Sequence, residues 1–214
     1  MANFYFIRHA QSTFNVGLCR PDDRNVRLTD TGKEQSKSLK LMLNLLIISP
    51  LIRAIETLAN SNIGYDRIEI NELFQEHRCR CENLTNFDSR DFETEQEWNE
   101  RIDNAIKYLR TIDSGVTSVG ILCHHDFIYH LTRRLTGKPV SLHNANYHYM
   151  YRDEIHNDSI SQLEQIPTSL TMFSSNHQIS LNPADFDIRA EVQGDNIRSS
   201  CSSNYVIEVV SDEE

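Results

Sequence analysis

The sequence predicts an α/β fold with a mainly parallel central sheet flanked by helices. Three observations carry that prediction. Short apolar runs of strand length occupy residues 3–7 and 118–123. Stretches with helical apolar spacing separate the runs. Each run stops abruptly at cationic or polar residues. Strands alternating with helices need crossover connections, and these join parallel neighbours. A chain of 214 residues suits one domain with a sizeable core.

Residues 3–7 read as the first strand, ending in Arg8-His9. Pro21-Asp22-Asp23 marks a polar turn. Thr29-Asp30-Thr31-Gly32 looks like a helix start. Leu39, Leu43 and Leu46 recur at helical spacing, which predicts an amphipathic helix over residues 31–46. The apolar end at 45–48 then becomes a second strand, stopped by Ser49-Pro50. A second helix follows over 51–60, and 67–70 form a short third strand. Residues 77–93 are polar and irregular, a loop over the site. Residues 94–112 form a helix whose apolar face is Trp98, Ile102, Ala105, Ile106 and Leu109, with Glu93, Glu95 and Glu97 suiting its N-terminal dipole. Residues 118–123 are a buried strand. Phe127, Leu131 and Leu135 mark the next helix, terminated at Gly137-Lys138-Pro139. Residues 141–165 show no clean period. Residues 169–173 suggest a late strand, 176–203 are polar, 205–210 suggest another strand, and the chain closes on an acidic tip.

The net charge of -10 argues against a general nucleic-acid or anionic-membrane binder. No apolar run approaches a membrane span, and the first residues lack a signal-peptide pattern. Five cysteines (Cys19, Cys79, Cys81, Cys123 and Cys201) at irregular spacing favour reduced thiols in a cytoplasmic setting. Cys79-Arg80-Cys81 is spaced too tightly for a usual zinc knuckle.

Four segments carry chemistry. Phe4-Tyr5-Phe6-Ile7-Arg8-His9 places Arg8 and His9 at a strand's carboxyl edge, where open α/β sheets bind ligands. A guanidinium there grips phosphate oxygens, and a neutral imidazole can attack phosphorus. Ser49-Pro50-Leu51-Ile52-Arg53-Ala54 puts Arg53 in the first turn of a helix, a position that favours anions. Taken alone, Arg53 also reads as a solvent-facing arginine. Val119-Gly120-Ile121-Leu122-Cys123-His124 gives His124 the position that His9 has on the first strand. A hydrogen-bond-donating His124 would stabilise charge on a transferring phosphoryl oxygen. Glu76, in Gln75-Glu76-His77-Arg78, would have its pKa raised beside a phosphate dianion and so could act as general acid. It reads equally as a surface glutamate.

These segments together resemble the histidine phosphatase superfamily, the group that includes the cofactor-dependent phosphoglycerate mutases. Arg8-His9-Ala10-Gln11-Ser12 is similar to its Arg-His-Gly signature, with Asn15 where a phosphate-contacting asparagine often falls. Leu28-Thr29-Asp30-Thr31-Gly32-Lys33-Glu34-Gln35 resembles its Leu-Thr-x-x-Gly-x-x-Gln helix start, and Ser49-Pro50-Leu51-Ile52-Arg53-Ala54 its Ser-Pro-Leu-x-Arg-Ala segment. The resemblance spans about residues 3–173. It implies a three-layer, phosphoglycerate mutase-like sandwich. It also implies a phosphohistidine on His9, general acid catalysis by Glu76, and a phosphate pocket of Arg8, Asn15, Arg53 and His124, with no metal and no cofactor. The expected substrate is a small phosphomonoester, with neither nucleic acid nor membrane as partner.

The expected domain covers 1–175 with a possible insert at 141–165, followed by a polar extension over 176–214. Three departures from the family pattern stand out. Ala10 replaces a glycine, His125 replaces the glycine after the second histidine, and Cys79-Arg80-Cys81 lacks the glycine that usually follows the acid. The alternatives are a phosphoglycerate mutase using Arg78, Arg80 and Arg90 as extra cations, an idle binding module, and a metal hydrolase built on His124, His125, Asp126 and His130. Specificity is expected in residues 77–92 and 141–164.

Overall fold

A computed structural model describes residues 3–85 and 92–156. The expected strands at 169–173 and 205–210 and the 176–214 extension lie outside the described residues. Five strands form one sheet: β1 (Asn3–Arg8), β2 (Lys40–Ile48), β3 (Asn62–Ile70), β4 (Ser118–Cys123) and β5 (Tyr147–Tyr151). Their order is β3-β2-β4-β1-β5. The first four are parallel, and β5 pairs antiparallel with β1 at the edge. The α-helices among the described residues are α1 (Asp30–Ser36), α2 (Ile52–Ala59), α3 (Glu95–Thr111), α4 (His125–Thr136) and α5 (Arg152–His156). The expected α/β fold with a mostly parallel sheet between helices is present.

One expectation is overturned. Residues 31–46 are not one helix: α1 ends at Ser36, and β2 begins at Lys40. Leu39, Leu43 and Leu46 do fall at helical spacing. But 39–48 is also a nearly continuous apolar run, and β2 lies between β3 and β4 with helices covering both faces. A strand buried on both faces needs no alternation, so spacing alone misread it. The third strand is correspondingly longer than 67–70. Its first residues, Asn62 to Tyr65, pair with Lys40 to Leu43.

The core has two layers. Phe4, Phe6, Leu45, Ile47, Val119 and Ile121 pack on one face against Trp98, Ile102 and Leu109 of α3 and Phe127 and Leu131 of α4. Ile7, Leu46, Ile48 and Leu122 pack on the other against α2 through Ala54 and Leu58. Each such aliphatic or Phe side chain contributes about 1.5–3 kcal/mol on burial. α3 begins with a capping box between Thr94 and Glu97. α4 ends at Gly137, whose φ of 74° is left-handed backbone that a side chain would resist. Among the described residues no helix is long and apolar enough to cross a membrane.

Candidate active site

Every strand-borne site residue sits at the carboxyl edge of the sheet. β1 ends in Arg8 and delivers His9; β2 leads into Ser49; β4 leads into His124, which caps the N-terminus of α4. Because β1 and β4 are adjacent and parallel, their following residues are neighbours. The His9 and His124 rings lie 5.1 Å apart.

His9 is buried, and its Nδ1 lies 2.7 Å from the carbonyl oxygen of Ala10. A carbonyl only accepts, so Nδ1 carries the proton and Nε2 presents its lone pair. Arg53 Nε–H donates to that Nε2 at a long 3.3 Å. Burial first, then the Arg53 and Arg8 charges, hold His9 well below the usual histidine pKa against the opposing Ala10 bond. The imidazole is therefore neutral at pH 7 and its nucleophilic nitrogen faces the cation.

Arg53 is not solvent-facing: it is 3% exposed. Its Nη1 donates to the carbonyl of Glu82 at 2.8 Å and its Nη2 to Asn83 Oδ1 at 2.7 Å. Burial lowers its pKa to about 10, so it stays charged. Thr57, one turn along α2, donates to the Arg53 carbonyl at 2.7 Å and accepts the Ala10 N–H at 2.9 Å, which ties the helix to the residue after His9.

His124 is fully buried, with Nε2 2.6 Å from Ser49 Oγ. Ser49 Oγ also accepts the Leu51 N–H at 3.3 Å, and its hydroxyl can donate to Nε2. His124 Nδ1 is buried with no partner among the described residues; with Ser49 donating to Nε2, Nδ1 carries the proton and is a free donor. Burial and the Arg53 charge keep this ring neutral too.

Glu76 is 7% exposed, so it is no surface glutamate. Its Oε1 accepts the N–H groups of Phe127 and His77, each at 3.0 Å, and its Oε2 accepts that of Asp126 at 3.1 Å. Two of these donors belong to the first turn of α4. Such bonds favour a carboxylate, yet burial and then the Asp126 charge outweigh them and Arg53. The pKa rises to about 7. The protonated form of Glu76 is therefore accessible near neutral pH.

Arg8 Nη1 donates to the Leu142 carbonyl at 2.6 Å, while its Nε is buried without a partner among the described residues. Asn15 lies at the exposed mouth in a 3-10 turn, Phe14–Val16. Its Oδ1 accepts from Ser12 N–H and Oγ–H, each at 3.0 Å, and from Asn144 Nδ2 at 3.1 Å. The Asn15 amide hydrogens are thereby turned away from these partners. Asn144 also donates to the His9 carbonyl at 3.2 Å and so links His9 to Asn15.

The Leu28-to-Gln35 segment grips the turn after His9. Thr29 caps α1 and its hydroxyl donates to Gln11 Oε1 at 2.9 Å; Gln35 Oε1 accepts the Gln11 N–H at 3.0 Å. A Cβ at Gly32 would stand 2.0 Å from the Gln11 carbonyl oxygen, so only glycine fits there. The departures cost little backbone strain. His125 is the first helical residue of α4, and neither it nor Ala10 has a positive φ. His124 faces Ser49 and His9, whereas His130 packs edge-on against Trp98 at 5.7 Å. Among the described residues no three His, Cys, Asp or Glu side chains gather into a group able to hold a metal ion. Sequence reasoning missed Ser49, Thr57, Asn83 and Asn144 as partners of the site. Ser49 and Thr57 lie inside the quoted Ser-Pro-Leu segment and its continuation, but their bonds join elements distant in sequence.

These observations define an α/β protein whose sheet edge presents two neutral imidazoles, two arginines and a carboxyl of raised pKa. The family profile for the histidine phosphatase superfamily (branch 1) matches residues 4–172. The chain belongs to that superfamily. Its fold is similar to that of a putative α-ribazole-5′-P phosphatase from Escherichia coli K-12: TM-score 0.55 and 18% identity, covering 69% of this chain and 89% of that one. It is also similar to a mycobacterial glucosyl-3-phosphoglycerate phosphatase (TM-score 0.51, 16% identity, 70% and 90% covered). A phosphoglycerate mutase from Thermus thermophilus matches comparably (TM-score 0.51, 15% identity, 68% and 90% covered). No curated protein sequence matches the chain.

Proposed function

We propose that the protein is a metal-independent phosphatase that hydrolyses a small phosphomonoester through a phosphohistidine on His9. The observation that carries this reading is the His9 imidazole, buried and neutral, with its proton on Nδ1 and its Nε2 lone pair beside Arg53. The arriving phosphoryl group takes over the Arg53 donor, and Arg8 and Asn15 add N–H groups at the mouth. His9 Nε2 attacks phosphorus, the P–O bond to the alcohol breaks, and protonated Glu76 gives its proton to the leaving oxygen. His124 Nδ1–H donates to a phosphoryl oxygen. The Glu76 carboxylate then takes a proton from water, the hydroxide attacks phosphorus, and the N–P bond breaks. Phosphate leaves, and His9 and Glu76 return to their starting states. Two arginines supply the positive charge that a metal would otherwise bring.

The mutase reading needs further cations near the site. Arg78 lies 3.7 Å from Glu93, and Arg80 lies 5.7 Å over the Phe14 ring; Arg90 is outside the described residues. These engagements favour hydrolysis over transfer to a second anionic substrate. The test is hydrolysis of an aryl phosphate in the presence of chelator by the native chain and by His9→Ala. Chelator-resistant turnover that falls at least about a thousandfold in the variant is expected. Turnover that chelator abolishes, or that survives in His9→Ala, overturns the reading.

A further inference from the structure

The reaction proposed above asks one carboxyl, Glu76, to meet a leaving oxygen at hydrogen-bond distance. Yet Glu76 belongs to no helix or strand: it lies between the 3-10 turns Glu72–Phe74 and Cys81–Asn83. Its segment is held instead from α3. Arg101 Nη1 donates to the carbonyls of Leu73 at 3.0 Å and Gln75 at 2.6 Å, and Nη2 donates to that of Glu76 itself at 3.1 Å. Glu93 grips the same guanidinium: Oε2 accepts from Nε at 3.1 Å and Oε1 from Nη2. Glu93 Oε1 also accepts the Arg78 N–H at 2.8 Å, and the Glu93 N–H donates to the Arg78 carbonyl at 3.1 Å. One ion pair thus brackets the main chain on both sides of the acid.

The pair is buried, with side-chain exposures of 1% for Glu93 and 11% for Arg101. Arg101 lies 4.7 Å over the Trp98 ring, and His77, the residue after the acid, stacks on that ring at 4.7 Å and 16°. A buried ion pair is weak evidence of net stability. Its better-attested use is registry, and a planar fork that donates to three carbonyls at once is a geometry lysine cannot supply.

We propose that Arg101 and Glu93 are positioning residues for the general acid: without touching substrate, they fix the backbone that carries Glu76 so that its carboxyl reaches the leaving oxygen. This rests on the assignment of Glu76 as that acid. The test compares p-nitrophenyl phosphate, whose leaving group needs little protonation, with an alkyl phosphate, whose alkoxide needs a proton. Native protein, Glu76→Gln, Arg101→Met, Arg101→Lys and Glu93→Gln are assayed on both, with thermal melts to confirm folding. In Arg101→Met, kcat on the alkyl phosphate is expected to fall on the order of tenfold or more beyond its fall on the aryl phosphate, with KM little changed. Arg101→Lys should not restore it. Should Arg101→Met fail to fold, the isosteric Glu93→Gln loosens the same clamp and the same contrast is read. An equal loss on both substrates, or none, in a folded variant overturns the inference while the role of Glu76 stands. If Glu76→Gln itself shows no contrast, the acid assignment falls, and the positioning role with it.

Discussion

The site has two halves, built differently. The half with the proposed nucleophile, comprising His9, Arg53 and His124, stands on strand ends and the first turn of α2, so the register of the sheet places it. The acid half is a stretch without regular structure, held by side chains and by the first turn of α4. The chemistry divides along the same line. In the reaction proposed here, the first half binds phosphate and attacks phosphorus, tasks common to every phosphomonoester. In the same proposal the second half meets the leaving group, the part that differs between substrates. On that reading, a half placed by the sheet faces the constant part of the substrate and a separately held half faces the variable part.

The sharpest test of that division is Glu76→Gln. Loss of the general acid should cost about a hundred- to ten-thousandfold in kcat on an alkyl phosphate and far less on an aryl phosphate. Its pH dependence follows from the pKa near 7. The group is raised, so the acid form is present below about pH 7 and is lost above it. His9, held well below 6.5, stays neutral across that window. The rate of phosphoryl transfer to His9 should therefore fall as pH rises through about 7, and that limb should vanish in Glu76→Gln. Pre-steady-state kinetics on the alkyl phosphate reads both.

A smaller effect of opposite character is expected from Arg53→Lys. The fork that serves His9, Glu82 and Asn83 cannot be reproduced by an ammonium. Activity should drop on the order of a hundredfold by a similar factor on aryl and alkyl phosphates, because the phosphoryl group is common to both. A loss confined to one substrate would break the comparison. The smallest effect is Thr57→Val, which removes the hydroxyl that bridges the Arg53 carbonyl and the Ala10 N–H. The unpaired buried N–H should lower stability by about 1–3 kcal/mol in chemical denaturation, with losses on the two substrates again equal.

Two members of the nucleophile half were legible because each follows an apolar strand, His9 after Ile7-Arg8 and His124 after Leu122-Cys123, whereas Arg53 taken alone also read as solvent-facing. The acid half was legible only as a resemblance, since nothing within residues 71–85 distinguishes Glu76 from a surface glutamate. Its burial comes from α3 and α4, which follow later in the chain. The misread helix over 31–46 has the same origin. Leu39, Leu43 and Leu46 satisfy helical spacing, and only the presence of strands on both sides makes an extended chain the better solution.

The sequence by itself determined the alternation of strands and helices, the caps at Thr29, Thr94 and Gly137, and the residue types that gather at the sheet edge. Those are local properties: apolar runs, capping side chains and glycine's conformational freedom act within a few residues. Only the tertiary structure decided that Ser49 and His124 lie within hydrogen-bond distance, that Arg53 faces His9 rather than solvent, and that Arg101 holds the backbone around Glu76. Each of those interactions joins residues 25 or more apart in the chain. Their partners come within a hydrogen bond of one another only after the sheet has closed over its core.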